Sequence, residues 1–222
     1  MTAVLKALGA LLTYPTRELI AALPEIRAAV GAETRLAADA KRHLDQLVAE
    51  LAAADLIDLE ERYVALFDRG RATSLHLFEH VHGDSRDRGQ AMVDLKSVYE
   101  RAGFVLAPGE LPDFLPAVLE FLARRPFAEA EEMLTDCAHI IRVVGEALRR
   151  HDSDYQAVMQ ALLLLIGAPG LGDRRDEVPV PEPAQDDEWR EEPVFFGPPG
   201  GQGCGAGALP AASAVRFMPR QS

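Results

Sequence analysis

Ala130-Glu131-Glu132-Met133-Leu134-Thr135-Asp136-Cys137-Ala138-His139-Ile140-Ile141-Arg142-Val143-Val144-Gly145-Glu146-Ala147-Leu148 is the stretch that decides the fold class. Its apolar residues Ala130, Met133, Leu134, Cys137, Ile140, Ile141, Val144 and Leu148 recur at intervals of three and four, which places them on one face of a helix. The same period appears on both sides of it. Toward the C-terminus, Ser153 is placed to cap a helix carrying Tyr155, Val158, Met159, Leu162, Leu163 and Ile166. Toward the N-terminus, Pro116 must sit in the first turn of a helix carrying Val118, Leu119 and Leu122, where its missing N–H costs nothing. Asp58 and Glu61 have capping-box spacing and predict a helix burying Leu59, Tyr63, Leu66 and Phe67. Leu36, Ala40, Leu44, Leu47, Val48 and Leu51 form another stripe. Val4, Leu5, Leu8, Leu11 and Leu12 form the first, ended by Pro15. The remaining prolines are expected mostly at segment boundaries. No segment alternates with period two, and Leu and Ala dominate over β-branched residues. The expectation is an all-α globular bundle of about seven to nine helices, given ordinary helix lengths.

Composition bounds the rest. Of 222 residues, 48% are hydrophobic and 26% charged, enough apolar material for a core. Residues 1–167 hold nine glycines and six prolines, whereas the remaining 55 hold eight and nine. This predicts a helical domain over 1–167 and a Gly/Pro-rich, disordered tail over 168–222. The net charge of −12 argues against a nucleic-acid partner and against a polybasic membrane binder. The longest apolar run, Ala161–Ile166, is far short of the roughly 20 residues that span a bilayer, so no direct membrane insertion is expected. The N-terminus lacks the pattern of a secretory leader, and two cysteines, Cys137 and Cys204, make no framework. A cytoplasmic location fits.

Asp68 to Gln90 is the densest polar stretch and holds three of the six histidines. His76 and His80, at i and i+4, could share one helical face, with His82, Glu79 or Asp84 completing a metal shell. A salt-bridged, solvated corner explains the same residues, with Gly83 ending one helix and Asp84 or Ser85 capping the next. The adjacent pair His151-Asp152 occurs in metal phosphohydrolases, but basic residues and histidine in a last helical turn also offset the dipole. Cys137 lies on a buried stripe and reads as a small hydrophobe. No GxSxG, Walker A or GxGxxG is present. In Leu111-Pro112-Asp113-Phe114-Leu115-Pro116, acid at a helix start favours the dipole. With Glu110 it could also form the lip of a groove for a basic segment.

Tyr63-Val64-Ala65-Leu66-Phe67-Asp68-Arg69-Gly70-Arg71, followed by Leu77-Phe78-Glu79-His80-Val81-His82-Gly83-Asp84-Ser85-Arg86-Asp87-Arg88-Gly89-Gln90-Ala91-Met92-Val93-Asp94-Leu95, closely resembles the nitrate reductase delta-type molybdenum cofactor assembly chaperones. These belong to the wider group of molybdoenzyme maturation chaperones. Glu110-Leu111-Pro112-Asp113 with Leu119-Glu120-Phe121-Leu122 is similar to that group's second signature. Trp189 to Phe196 and Gln202-Gly203-Cys204-Gly205 resemble the family's tail. The wider group usually carries histidine after the Pro-Asp pair; here Phe114 stands there.

The resemblance implies a non-enzymatic, cytoplasmic chaperone with no cofactor of its own. Its partner would be the apoprotein of the nitrate reductase catalytic (alpha) subunit, held through its N-terminal segment. The client would stay competent for insertion of molybdenum cofactor and an iron–sulfur cluster before membrane attachment. Molybdenum cofactor delivery proteins would be further partners. Phe67, Phe78, Met92 and Tyr99 are expected as groove wall, and Asp68, Glu79, Glu110 and Asp113 as a negative lip. His80, His82 and Pro112 belong to the same client-binding set. Arg69, Arg71, Arg86, Asp87 and Arg88 would hold the corner through salt bridges. The alternative is a metal-dependent all-α enzyme using His76, His80 and His82. Asp173–Glu192 carries nine acids and three bases, and the apolar Trp189, Val194, Phe195 and Phe196 beyond could fold back over the groove as a self-ligand.

Overall fold

The apolar stripes become the inward sides of helices in the computed structural model, which describes residues 2–82 and 86–172. The described residues form ten α-helices: α1 Thr2–Leu11, α2 Arg17–Ala32, α3 Ala38–Ala53, α4 Leu56–Tyr63, α5 Glu79–His82, α6 Arg86–Arg101, α7 Leu115–Leu122, α8 Phe127–Asp136, α9 Ala138–Arg150 and α10 Gln156–Leu165. A π turn, Val64–Asp68, continues α4, and a 3₁₀ turn, Arg71–Thr73, follows. Among the described residues the only extended pairing is an isolated antiparallel bridge between His76 and Phe114. The fold is all-α.

Helix α1 sits at the centre and packs against α2, α7 and α10. Leu5, Leu8, Leu11 and Leu12 are fully buried along it. Its approach to α7 is close because residue 9 is glycine: a Cβ there would lie 3.2 Å from Leu119 Cβ and 3.3 Å from the Pro116 carbonyl. Helix α10 packs against α9 and α3, so Val158, Met159, Leu162 and Leu163 meet Leu44, Leu47 and Leu51 in one core. Among the described residues no helix is long and apolar enough to cross a membrane.

Several boundaries differ from expectation, each for a local reason. The count of ten exceeds seven to nine because α5 is a single turn and because the longest stripe is two helices. The chain breaks at Cys137, whose φ and ψ are −88° and −3°. Thr135 Oγ1 donates to the Glu131 carbonyl at 2.7 Å, and the His139 ring lies 3.1 Å from the Asp136 carbonyl. Side chains that claim backbone carbonyls in this way bend a helix. The stripe survives the break because a single residue both ends α8 and starts α9. Helix α4 begins three residues before the Asp58–Glu61 box: Asp55 is its cap and accepts the Ile57 N–H at 2.9 Å. Leu59, Tyr63 and Phe67 are buried, but Leu66 is only half-buried, because the π turn rotates the face after Tyr63. Pro116 occupies the first turn of α7, but Pro24 lies inside α2, contrary to the boundary rule. It falls on an exposed face, where the carbonyl it deprives of a donor, that of Ile20, can be hydrated. The domain end at 167 is a boundary of composition, and the Gly83, Asp84 and Ser85 caps and the tail from Asp173 lie outside the described residues.

Candidate functional site

The two signature segments meet face to face. Leu77 N–H donates to the Asp113 carbonyl at 3.1 Å, and Leu115 N–H to the Leu75 carbonyl at 2.9 Å, a short two-stranded clasp around His76 and Phe114. The Asp113 side chain closes the clasp from inside. It is 0% exposed, yet it accepts the Phe78 N–H on Oδ2 at 3.1 Å and faces His76 Nδ1 from Oδ1 at 3.2 Å. A buried carboxylate is tolerated only when satisfied in this manner. The hydrogen bond to Asp113 raises the His76 pKa above its ordinary value, against a smaller opposing effect of burial. The His76 ring also lies on Phe114, with centroids 5.3 Å apart. Tyr99, from α6, donates its hydroxyl to the Pro112 carbonyl at 2.8 Å and fixes the second segment from behind.

Glu79 organises the outer side. Ser74 Oγ donates to Glu79 Oε2 at 2.5 Å, and Arg88 Nη2 to Oε1 at 3.0 Å. Arg71 reaches the Glu79 carbonyl at 3.2 Å, and His80 Nε2 lies 2.9 Å from the Ser74 carbonyl. Burial alone would raise the Glu79 carboxyl, but the Ser74 hydrogen bond and the Arg88 charge outweigh it and hold the pKa below the ordinary value. Thr73 Oγ1 donates to the Leu66 carbonyl and ties this corner to the π turn.

These contacts relocate several expected residues. Asp113 is a buried anchor and not part of an exposed lip, because the clasp encloses it. Phe67, Phe78 and Tyr99 are core residues at 6%, 3% and 0% exposure, and Pro112 is buried beside them. Met92, Glu79 and His80 are half-buried; Asp68 and Glu110 are exposed. Arg88 pairs with the Glu79 carboxylate and Arg71 reaches the Glu79 carbonyl, while Arg71, Asp87 and Arg69 are all exposed. The side chains of His82 and Arg86 lie outside the described set. His76 and His80 do not share a helical face: α5 starts only at Glu79, and the two rings turn to Asp113 and to the Ser74 carbonyl. Among the described residues no group of three His, Cys, Asp or Glu side chains is placed to hold a metal ion. His151 and Asp152 form the end of α9, with Asp152 at φ 54°. Burial, reinforced by Asp136, pushes the Cys137 thiol up to about 12, which disqualifies it as a nucleophile near neutral pH.

Beside the corner lies a cleft of about 690 Å³ that the stripes do not foretell. Tyr14, Ile57, Val64 and Ala65 supply apolar lining; Glu60, Glu61, Arg62 and Arg69 supply both signs of charge. Ile57 is 64% exposed and Tyr14 44%, unusual for large apolar side chains that share one concavity. Loss of water, with Glu60 and Asp68 nearby, raises the Tyr14 hydroxyl pKa. Behind the cleft the rings continue inward: Tyr14 to Tyr63 at 5.5 Å, Tyr63 to Phe67 at 4.8 Å, Phe67 to Tyr155 at 5.1 Å. Tyr63 also donates to the Leu12 carbonyl at 2.8 Å, pinning α4 to the end of α1. The only sequence signal for the cleft is that Ile57 falls off the Leu59–Tyr63 stripe. Chemically the arrangement combines apolar lining with charges of both signs.

A family model described as nitrate reductase delta subunit matches residues 33–160. The chain is 41% identical over 209 residues to the nitrate reductase molybdenum cofactor assembly chaperone NarJ of Escherichia coli (strain K12), covering 90% of this chain and 87% of the relative. It is 37% identical over 199 residues to a candidate chaperone of the same kind, NarW of that strain, covering 87% and 83%. The crystal structure of a candidate redox enzyme maturation protein from Archaeoglobus fulgidus superposes with a TM-score of 0.54 at 19% identity, covering 73% of this chain and 91% of that one. That likeness concerns the fold.

Proposed function

The chain belongs to the nitrate reductase delta subunit family as an assembly chaperone and not an enzyme, and from that membership we propose that its client is the catalytic subunit of nitrate reductase in its apo form. The chaperone receives the client's N-terminal segment as an amphipathic helix and keeps the subunit open for molybdenum cofactor and iron–sulfur insertion. It works in the cytoplasm, before the client attaches to the membrane, and cofactor delivery proteins meet it there.

What supports a docking role is the cleft lined by Tyr14, α4 and the π turn. It offers exposed Ile57 and Tyr14 with Val64 and Ala65 as apolar lining, and it carries Glu60 and Glu61 beside Arg62 and Arg69. Apolar contacts would give the affinity, and charge would select and speed the encounter. Of the residues named from sequence, Asp68, Glu79, His80, Met92 and Glu110 reach the surface and can touch a client. Phe67, Phe78, Tyr99, Pro112 and Asp113 shape that surface from behind. Folding of a client segment on binding costs roughly 2–5 kcal/mol of gross interaction, which keeps the complex releasable.

Calorimetric titration with a peptide from the extreme N-terminus of the catalytic subunit, at two salt concentrations, tests the reading. One-to-one binding near micromolar, about −8 kcal/mol, is the expected result. Weakening at the higher salt would assign part of the recognition to the charged lining of the cleft. Binding of neither the peptide nor the full-length apo-subunit would overturn it.

A further inference from the structure

We infer that residues 168–171 are a strap that locks α9 against α10, so that the folded unit closes at Leu171 and not at Gly167. Helix α10 ends in a reversal: Gly167, at φ 67°, donates to the Leu164 carbonyl at 3.1 Å, and Ala168 N–H donates to the Leu163 carbonyl at 3.0 Å. This pair of bonds is the Schellman arrangement, which turns the chain back along the helix it has left. The next three residues are then held by side chains from both helices. Arg142, on α9, spans two consecutive carbonyls, with Nη1 donating to Gly170 at 2.5 Å and Nη2 to Pro169. Gln160, on α10, accepts the Leu171 N–H at 2.6 Å. The Leu171 side chain fills the notch left by a missing one: a Cβ on Gly145 would lie 2.7 Å from Leu171 Cδ2 and 2.9 Å from Met159 Cβ.

Nothing in a passive connection requires these features together. A guanidinium fork satisfied by two backbone carbonyls fixes a path and not merely a charge. The glycine at 145 lets both α10 and the strap's leucine approach α9, at the propensity cost of glycine inside a helix. Leu171 and Ala168 pack against the core although they follow the last helix.

Hydrogen exchange on the full chain tests the strap without relying on any variant. The Leu171 amide should exchange at least tenfold more slowly than the free-peptide rate, in step with amides of α10. In an Arg142→Ala/Gln160→Ala double variant, exchange across 168–172 should accelerate about tenfold while amides of α1 and α3 stay protected. Leu171→Ala should accelerate the same amides. A Leu171 amide that exchanges at the free-peptide rate in the unsubstituted chain would overturn the inference. Unchanged exchange across 168–172 in the double variant would also do so.

Discussion

His76 Nδ1 and Asp113 Oδ1 stand 3.2 Å apart across 37 positions of sequence, and the carboxylate of the pair is wholly enclosed. This contact joins the two signature segments, and it places Asp113 in a clasp and not on an exposed acidic lip. Asp113 also takes the Phe78 N–H, so removing it orphans one backbone donor and one ring donor. Hydrogen bonds to charged groups contribute about 1.5–3 kcal/mol each. Asp113→Ala should therefore lower the unfolding free energy by about 3 kcal/mol in urea titration, and Asp113→Asn, which keeps shape and one acceptor, by about half. A loss below about 1 kcal/mol for the alanine variant would mean that the clasp is not anchored there.

The same pair sets a pH dependence whose sign follows from its direction. The folded-state pKa of His76 is raised by Asp113, so its stabilisation is complete below the unfolded value of about 6.5 and is lost as pH rises through the folded value. Glu79 acts oppositely. Its pKa is lowered, so its contribution is present above the ordinary glutamate value of about 4.3 and is lost as pH falls through the folded value. The stability advantage of the unsubstituted chain over His76→Gln should thus shrink as pH rises above about 6.5 and through the raised folded-state value. The His76 ring protons should titrate above 6.5 by NMR, and the midpoint should drop in Asp113→Asn. An advantage that grows with pH would contradict the pairing.

Gly9 governs how near α1 lies to α7. Its missing side chain leaves 3.2 Å to Leu119 Cβ and 3.3 Å to a carbonyl of α7. Overpacking of such contacts costs typically 1–3 kcal/mol. Gly9→Val should lower stability by about 2 kcal/mol or more, because its two γ-methyls have nowhere to go. Thermal unfolding of the variant checks this, and an unchanged midpoint would show that the two helices can separate freely.

The helical core was readable from spacing alone because burial acts on one face at a time. Leu44, Leu47 and Leu51, or Val158, Leu162 and Leu163, are inward at the positions that period 3.6 assigns. The elements that escaped the reading depend on partners distant in sequence or on backbone irregularity. Asp113 looks like helix-start acid until Phe78, 35 residues earlier, presents its N–H. The π turn after Tyr63 looks like continuing helix, since the one extra residue leaves no mark in composition. The cleft brings together Tyr14, beyond the end of α1, and Ile57, in the first turn of α4; no periodicity links them. The resemblance supplied which segments matter. It could not supply that one side of the acidic pattern faces inward.

The cleft separates binding from stability and so gives the sharpest test of where a client docks. Ile57 is 64% exposed, so its replacement removes little packing, and exposed substitutions usually stay within about 0.5 kcal/mol. Ile57→Glu should leave the helical CD spectrum and unfolding midpoint nearly unchanged while weakening the client peptide at least fivefold in calorimetry. Tyr14→Ala should do the same with a somewhat larger stability loss, because its ring meets Tyr63 at 5.5 Å. Tyr63→Phe provides the converse. It deletes only the buried hydroxyl bonded to the Leu12 carbonyl, and should cost about 1 kcal/mol of stability with affinity retained. If Ile57→Glu binds the peptide as tightly as the unsubstituted chain, the cleft is not the receptor. Met92, Glu79 and Glu110 then become the residues to test, beginning with Glu110→Lys at the carboxylate that accepts the Ala107 N–H.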